Sequence, residues 1–314
     1  MNTSATRKRK KWPLIAALVL LLVGAILYKL ADRYLIEHVE AVVANEAETA
    51  GQGDSAETEP QNAAYDDWNY ESDDVSIHIT KNQTGSGDDT VTYFVADVML
   101  QDASALKTAL AKNAFGRNII ENTSTIAENN NAIFAINGDY YGFRDDGVII
   151  RNGTLYRDEP ARDALGLFAD GTLQTFDEEE ISSSELLEQG VEDTLSFGPI
   201  LVQDGQVAGD LDHVSIDTNF GNRSIEGANP RTGIGMIAPN HYVFVVVDGR
   251  DEGYSRGMTL TEFANLFKEL GATEAYNLDG GGSSTMYFMG RVVNQPQGGK
   301  NEERGVSDII YIGE

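Results

Sequence analysis

Apolar and polar positions alternate with a period of two residues in several segments of the chain. Residues 75–83 (VSIHITKNQ) and Val91–Leu100 (VTYFVADVML) follow this pattern and are rich in β-branched side chains. The pattern is typical of β-strands. We therefore predict that a folded domain begins near Val75 with a pair of strands.

Turn dipeptides separate the apolar segments that follow. Asn152-Gly153, Asp170-Gly171 and Asp204-Gly205 each lie between two short apolar runs, and Ala238-Pro239-Asn240 separates two longer ones. Asn-Gly and Asp-Gly favour the primed turns of β-hairpins, because both residues tolerate a positive φ. The middle of the domain is thus predicted to be antiparallel sheet.

A different period marks the helices. Residues 260–270 have apolar side chains on one face, at Leu260, Phe263, Ala264, Phe267 and Leu270. Thr259 and Glu262 form a capping-box pattern before this helix, and Gly271 is a candidate cap after it. Residues 122–130 predict a shorter helix, and the composition of residues 105–114 also favours a helix.

A strand at residues 274–278 follows the long helix, and a strand at 241–247 precedes it. If these strands are parallel, Asp248 and Asp279 lie at matching strand ends. The predicted fold class is α+β: a large mixed, mainly antiparallel sheet with hairpins and a few packed helices, preceded by one transmembrane helix.

The N-terminus predicts an anchor. Residues 7–11 are all basic, and residues 12–30 form an apolar run long enough to span a bilayer. The basic cluster predicts a cytoplasmic tail at residues 1–11, a transmembrane segment at 12–30 and an extracytoplasmic C-terminal domain at a bacterial cell surface. A cleaved signal peptide is the competing interpretation, although no small-residue cleavage site directly follows the run.

The region between the anchor and the domain is acidic and poor in large apolar side chains. Residues 31–74 are accordingly predicted to be a stalk or linker, and residues 75–314 the folded domain. The whole chain of 314 residues carries a formal net charge of -27, which argues against nucleic acid as a partner. The chain has no cysteine, which excludes thiol nucleophiles, disulfides and thiolate zinc sites.

Candidate chemistry lies where apolar strands break into polar residues and glycine. This occurs at residues 137–141, 229–233, 248–250 and 277–285. Loops at strand ends commonly hold functional groups. A carboxylate there can act as acid, base, nucleophile or metal ligand, an arginine can bind phosphate, and glycine can expose backbone N–H groups to an anion.

Five of these segments together resemble the phosphodiester glycosidase family: AIFAINGDYYGF, SFGPILV, NPRTGIGM, VFVVVDGR and YNLDGGGSSTMYF. The resemblance extends over roughly residues 76–312. The family includes the lysosomal uncovering enzyme, which removes N-acetylglucosamine from a phosphodiester on mannose, and its bacterial members are often described as exopolysaccharide-related. The resemblance implies hydrolysis of a sugar-1-phosphodiester at its glycosidic bond.

For that chemistry we expect Asp279 and Asp139 to supply the carboxylates, one as base or nucleophile and the other as acid or orienting group. Arg231 and the backbone of residues 280–284 are expected to hold the phosphate. The expected substrate-binding residues are Asn137, Tyr140, Asp248, Arg250, Gly280, Gly281, Gly282, Ser283 and Ser284. Inverting and retaining chemistry both stay open, as does a calcium or magnesium ion bridged by Asp139 and Asp279.

The predicted function is therefore a membrane-anchored extracytoplasmic hydrolase. Its substrate would be a sugar-1-phosphodiester in a cell-surface glycan or a sugar-phosphate polymer. The alternative is a non-catalytic protein that binds glycan or assists exopolysaccharide assembly through the same pocket.

Overall fold

The computed structural model describes residues 12–43, 63–214, 216, 225, 227–299 and 302–313. These residues form five helices and 21 strands. The helices are α1 (Trp12–Tyr34), α2 (Thr123–Asn129), α3 (Ser183–Glu188), α4 (Leu260–Glu269) and α5 (Pro296–Gly299).

Two large sheets dominate the fold. The nine-stranded sheet has the order β15 (Gln206–Val207), β14 (Ile200–Gln203), β18 (Glu274–Asn277), β16 (Arg231–Ala238), β17 (His241–Val247), β5 (Val91–Leu100), β4 (Val75–Thr84), β3 (Asn69–Glu71), β2 (Ala64–Tyr65). The five-stranded sheet has the order β20 (Arg291–Val292), β19 (Met286–Phe288), β8 (Ala132–Asn137), β21 (Asp308–Gly313), β6 (Leu106–Leu110).

Three smaller sheets flank them: β12 (Leu173–Asp177) with β11 (Asp163–Phe168) and β13 (Val191–Leu195), β10 (Thr154–Glu159) with β9 (Gly147–Arg151), and β1 (His38–Val42) with β7 (Ala114–Arg117). The strand pairs formed by the described residues are all antiparallel. The predicted α+β class with mainly antiparallel sheet is confirmed.

The two large sheets pack face to face, and a helix covers the outer face of each. The rings of Phe134 in β8 and Phe244 in β17 lie 5.0 Å apart in the core between the sheets. The neighbouring Val243 and Val245 point the other way, into the cluster formed with α4. Because β17 is buried on both faces, its sequence is a continuous apolar run rather than an alternating one.

The segment β17–α4–β18 brings the predicted polar ends to one edge. Both strands pair antiparallel with β16, so they run parallel to each other on its two sides. Asp248 is the first residue after β17, and Asp279 is the second residue after β18. Arg231 is the first residue of β16, the strand that lies between β17 and β18. The expected matching of these strand ends is confirmed.

Most local predictions are confirmed, and one is wrong. The four hairpins form as expected, and Asn152 and Asp204 adopt positive φ values of 48° and 51°. Thr259 and Glu262 form a capping box on α4. The helical composition of residues 105–114 is misleading: Leu106–Leu110 form strand β6, in which Leu106, Thr108 and Leu110 are buried, because pairing with β21 overrides that composition.

The structured part of the chain begins earlier than Val75. β2 and β3 extend the nine-stranded sheet, Tyr70 is buried, and Trp68 stacks on Phe94 at 6.4 Å. Strand β1 also lies against the domain, within the predicted stalk. Residues 44–62 of that stalk lie outside the described residues.

Among the described helices, α1 is long and apolar enough to cross a membrane, from Ile15 to Tyr34. Its side chains for which burial is described are exposed, apart from partly covered residues near its C-terminal end. The predicted apolar helix is therefore present near the N-terminus.

Candidate active site

A cavity of about 200 Å³ lies at the sheet edge where β8, β16, β17 and β18 end or begin. Its polar lining side chains are Tyr140, Arg144, Asn229, Arg231, Arg250, Asp279 and Arg304. The remaining wall is formed by Phe197, Ile216, Ile225, Pro230, Leu278, Gly280 and Gly281.

The lining has a strong excess of positive charge. Among the described lining residues, four arginines face a single carboxylate, that of Asp279, in a chain whose net charge is -27. A low-dielectric wall strengthens the interaction of these charges with a bound anion. The cavity is thus built to attract an anion although the molecule as a whole repels one.

Arg231 is the most buried of the predicted cationic residues. Its Nε donates to the carbonyl of Met258 at 3.0 Å, and its Nη2 donates to the carbonyls of Ile225 and Gly227. Burial, and secondarily the charge of Arg250, lowers its pKa to about 10, so it stays charged at neutral pH. Within the described chain no carboxylate forms an ion pair with this guanidinium, which leaves its charge available to a ligand.

Asp279 carries the carboxylate of the cavity. Its Oδ2 accepts from the Ser283 hydroxyl at 2.6 Å and from Nη2 of Arg304 at 2.7 Å. Burial raises its pKa, and the charge of Arg304 and the Ser283 hydrogen bond oppose that shift. The side chain is 12% exposed, which is enough to meet a ligand in the cavity.

Asp139 lies behind the wall of the cavity rather than in its lining. Its Oδ1 accepts from the N–H of Tyr141 at 2.8 Å, its Oδ2 from the N–H of Ser196 at 3.0 Å, and Nη2 of Arg151 lies 3.5 Å from Oδ2. The two carboxylate oxygens therefore bind backbone next to two lining residues of the cavity. One of these is Tyr140, and the other is Phe197 after Ser196.

Asn137 and Asp248 are also turned away from the cavity. Asn137 is fully buried, and its amide donates to the carbonyl of Asp279 at 2.7 Å. Asp248 accepts from the amide of Asn294 at 2.8 Å and from the hydroxyl of Tyr254 at 3.0 Å. Both side chains bind the loops that form the site, and neither lines the cavity.

The first two glycines of the triple-glycine run allow close packing at the cavity. A Cβ on Gly280 would lie 2.7 Å from the carbonyl oxygen of Pro230. Gly281 has a φ of +64°, and a Cβ there would lie 3.2 Å from Nη2 of Arg250. The N–H of Gly281 already donates to Pro230 at 2.9 Å. These glycines therefore bring Arg250 and Pro230 close to the loop, and the Gly281 N–H has a protein acceptor.

The remainder of the motif surrounds Arg304. A Cβ on Gly282 would lie 3.3 Å from Cδ of Arg304, whose Nε donates to the Ser283 hydroxyl at 2.9 Å. Ser283 thereby connects Arg304 to Asp279. Ser284 is buried and outside the cavity lining. The glycine and serine residues of the motif thus hold Arg304 next to Asp279, the carboxylate at the start of the same motif.

The predicted carboxylates do not fit a bridged divalent cation. Both oxygens of Asp139 accept backbone N–H groups, and Oδ2 of Asp279 is paired with Arg304. Within the described part of the chain, no group of three or more histidine, aspartate or glutamate side chains is arranged to hold a metal ion.

Sequence reasoning missed two of the four cavity arginines and one aromatic residue. Arg144 is buried, donates to the carbonyl of Ser196 at 3.0 Å, and lies over the rings of Tyr140 and Phe197 at 5.5 and 4.9 Å. Arg304 lies just before β21, far in sequence from Asp279. The one local signal was the position of Arg144 directly after the polar segment 137–141.

Comparison with known proteins agrees with this picture of the fold. The sequence profile of the phosphodiester glycosidase family matches residues 130–313, more than half of the chain. The catalytic domain of zebrafish N-acetylglucosamine-1-phosphodiester alpha-N-acetylglucosaminidase, auto-inhibited by its pro-peptide, superposes with a TM-score of 0.60 at 22% identity. That alignment covers 77% of this chain and 84% of the zebrafish chain, and it supports the fold.

Two curated relatives are similar in sequence. The SPbeta prophage-derived protein YomE of Bacillus subtilis (strain 168) is 30% identical over 63% of this chain and 30% of its own length. The N-acetylglucosamine-1-phosphodiester alpha-N-acetylglucosaminidase of Bos taurus is 32% identical over 42% of this chain and 25% of its own length. The chain thus spans less than a third of the length of these relatives. On the match to its profile, the chain belongs to the phosphodiester glycosidase family.

Proposed function

We propose that the protein hydrolyses the glycosidic bond of a sugar-1-phosphodiester in a cell-surface glycan or sugar-phosphate polymer. The observation that carries this proposal is the cavity of about 200 Å³ whose described lining sets four arginines against one carboxylate. A phosphodiester supplies the anion, and the sugar attached to it supplies a carbon within reach of that carboxylate.

Arg231 is the principal phosphate ligand in this proposal. Two of its nitrogens are bound to carbonyls, so the guanidinium is held in one orientation before substrate arrives. Such preorganisation avoids the entropic cost of ordering a long side chain on binding. Arg250 and Arg144 line the same cavity and are proposed to share the phosphate charge.

Asp279 is the proposed catalytic carboxylate, acting as base on water or as nucleophile on the anomeric carbon. In the net reaction the bond between the anomeric carbon and the phosphate oxygen breaks, water supplies hydroxyl to the carbon, and the remaining proton of water passes to the departing phosphate monoester or to solvent. Because that leaving group is already stable as an anion, little acid assistance is needed. Asp139, with both oxygens bound to backbone, is proposed to position the Tyr140 loop.

The apolar helix α1 supports an anchored, extracytoplasmic location. Its 23 residues rise ~34 Å at 1.5 Å per residue, close to the thickness of a bilayer core. The basic residues 7–11 precede it and favour a cytoplasmic N-terminus. Substrate on the outer side of the membrane follows from this orientation.

The test is a panel of sugar-1-phosphodiesters incubated with the full-length protein in detergent, with and without divalent cation, while free sugar is measured. Asp279→Asn is expected to lower kcat by a factor of roughly 10²–10⁴, the usual range for a catalytic proton-transfer group. Arg231→Gln is expected to raise KM by a factor of about 10–100, which corresponds to a lost charge-assisted hydrogen bond.

Asp88→Asn is the matched control, because Asp88 is exposed in a turn outside the cavity. The Asp88→Asn variant is expected to be as active as the unaltered protein. Saturable glycan binding without turnover would contradict the hydrolase and favour the glycan-binding alternative. If the unaltered protein hydrolyses a substrate and the Asp279→Asn variant is equally active, the assignment of Asp279 as the catalytic carboxylate is wrong.

A further inference from the structure

We propose that the outward face of β1 docks on the phospholipid bilayer beside the C-terminal end of α1. The inference rests on the proposed membrane insertion of α1. It adds a second membrane contact, made by the folded domain itself, to the anchor.

The chain length between helix and strand places β1 at the bilayer surface. α1 ends at Tyr34 and β1 begins at His38, so three residues connect them. Three extended residues reach only about 10 Å. The connection is also hydrogen-bonded: the N–H groups of Leu35 and Ile36 both donate to the carbonyl of Ala31, at 2.7 and 2.8 Å.

The strand is fixed to the domain on its inner side. β1 pairs antiparallel with β7, and Ala41 and Val43 pack on the cluster that contains Phe115. A Cβ on Gly116 would lie 1.9 Å from the carbonyl oxygen of His38, so a glycine is needed where the two strands meet. The domain and the end of the membrane helix are therefore held together through β1.

The outer side of β1 exposes two valines, with the exposed Glu40 close to them in the strand. The pairing register shifts between Val39 and Ala41, which turns Val39 and Val42 outward while Ala41 stays inside. Val39 is 57% exposed and Val42 78% exposed, and Leu35 in the connection is 78% exposed. In a monomer these side chains would face water next to the helix.

Exposed large apolar side chains are concentrated here. Beyond α1, the described chain exposes eight of them, and four belong to the span from Leu35 to Val42. These four are Leu35, Ile36, Val39 and Val42, and the others are Tyr65, Met99, Ile120 and Leu155. A cluster of this kind marks an interaction surface. Because it is continuous with the end of a membrane helix, the bilayer is the occupant that the chain itself brings into contact.

Through its pairing with β7, strand β1 also connects the proposed membrane contact to the cavity. Phe115 of β7 stacks on Tyr141 at 5.2 Å, and the N–H of Asn118 donates to the carbonyl of Gly142 at 2.9 Å. Tyr140, adjacent to Tyr141, lines the cavity. Docking of β1 would thus fix the height and orientation of the Tyr140 loop above the bilayer.

The absence of cysteine makes a direct test possible. Val39→Cys and Val42→Cys in the full-length protein would each carry one nitroxide label in vesicles of phosphatidylethanolamine and phosphatidylglycerol. Collision with oxygen and with a water-soluble nickel complex, present on both sides of the membrane, would be measured by electron paramagnetic resonance. Tyr65→Cys and Met99→Cys are matched controls on exposed sites of the nine-stranded sheet, and Leu21→Cys reports insertion of α1.

The expected result is protection of labels 39 and 42 from nickel, relative to labels 65 and 99, with label 21 the most protected. If labels 39 and 42 are as accessible to nickel as the controls while label 21 is protected, docking of β1 is wrong and insertion of α1 is still supported. An accessible label 21 would overturn the anchor and docking together. Spin–spin broadening at positions 39 or 42 would overturn lipid docking in favour of contact with a second copy.

Discussion

At the scale of single residues, the site depends on how each charged group is paired. Arg231 binds carbonyls and has its positive charge uncompensated by an ion pair within the described residues, whereas Arg304 is paired with Asp279. The first arrangement suits an arginine that binds an anion. The second suits an arginine that controls the ionisation and orientation of a carboxylate.

Arg304→Gln tests the second arrangement. Burial raises the pKa of Asp279 and Arg304 lowers it, so removal of the guanidinium should raise that pKa further. A carboxylate that acts as base or nucleophile must be ionised, so activity is lost as pH falls through its pKa. The acidic limb of the kcat/KM profile should therefore move to higher pH in Arg304→Gln.

Arg304→Lys keeps the positive charge and should return the acidic limb toward its original position. The alkaline limb should stay where it is in both variants. An acidic limb that does not move in Arg304→Gln would show that Asp279 is not the titrating group.

A second residue-scale prediction concerns the buried carboxylate Asp308, which pairs with Arg151 at 2.5 Å. Burial, and then the charge of Asp139, raises its pKa to about 7, against the opposing effect of Arg151. The folded chain therefore binds this proton more tightly than the unfolded chain, in which the pKa of an aspartate is about 3.9. The contribution of Asp308 to stability is greatest below the unfolded pKa and is lost as pH rises through about 7.

In Asp308→Asn this titration is removed, so the loss of thermal stability between pH 5 and pH 8 should be smaller than in the unaltered protein. Unfolding of the detergent-solubilised chain can be followed by circular dichroism at both pH values. Asp88→Asn, at an exposed position, should keep the original pH dependence. Identical pH dependence in Asp308→Asn would contradict the assignment.

At the scale of elements, the sheets extend beyond the segments with the clearest pattern. β2 and β3 are short, yet Tyr70 of β3 and Trp68 of the turn before it pack into the core of the nine-stranded sheet. β6 has a helical composition and still forms a strand, because its backbone pairs with β21 and its alternate side chains are buried. Packing decides the state of such short segments more than local propensity does.

A soluble chain that begins at Val75 should accordingly be less stable than one that begins at Ala63. Burial of one large side chain such as Tyr70 contributes roughly 1.5–3 kcal/mol. For a domain of this size that corresponds to about 3–12 °C in Tm. Equal unfolding temperatures for the two chains would show that β2 and β3 do not contribute to the folded domain.

At the scale of the whole molecule, an acidic protein encloses a basic cavity. Fifty acidic residues against 23 basic ones produce repulsion across the surface, which salt screens. Sodium chloride should therefore raise the unfolding temperature moderately. Phosphate at equal ionic strength should raise it further, because it also binds the arginines of the cavity.

Arg231→Gln separates specific binding from the general effect of phosphate on protein hydration. The variant should retain the response to chloride and lose most of the additional response to phosphate. An undiminished phosphate response in Arg231→Gln would show that the stabilisation does not arise at this cavity.

The sequence alone was enough to predict the α+β class, the hairpins, helix α4 and the family, because these depend on local periodicity, turn chemistry and contiguous motifs. It also identified Asp279, Arg231, Tyr140, Arg250, Gly280 and Gly281, which line the cavity. Each of them lies at or just beyond the end of a strand whose pattern is clear.

The tertiary structure decided which polar side chains face the cavity and which lie behind it. Asn137, Asp139, Asp248 and Ser284 belong to the same motifs and are turned into the supporting loops. Arg304 comes from a segment with no pattern of its own, and it reaches Asp279 because β21 pairs with β8. Side-chain direction and long-range pairing depend on strand register across the whole sheet, which a local pattern does not contain.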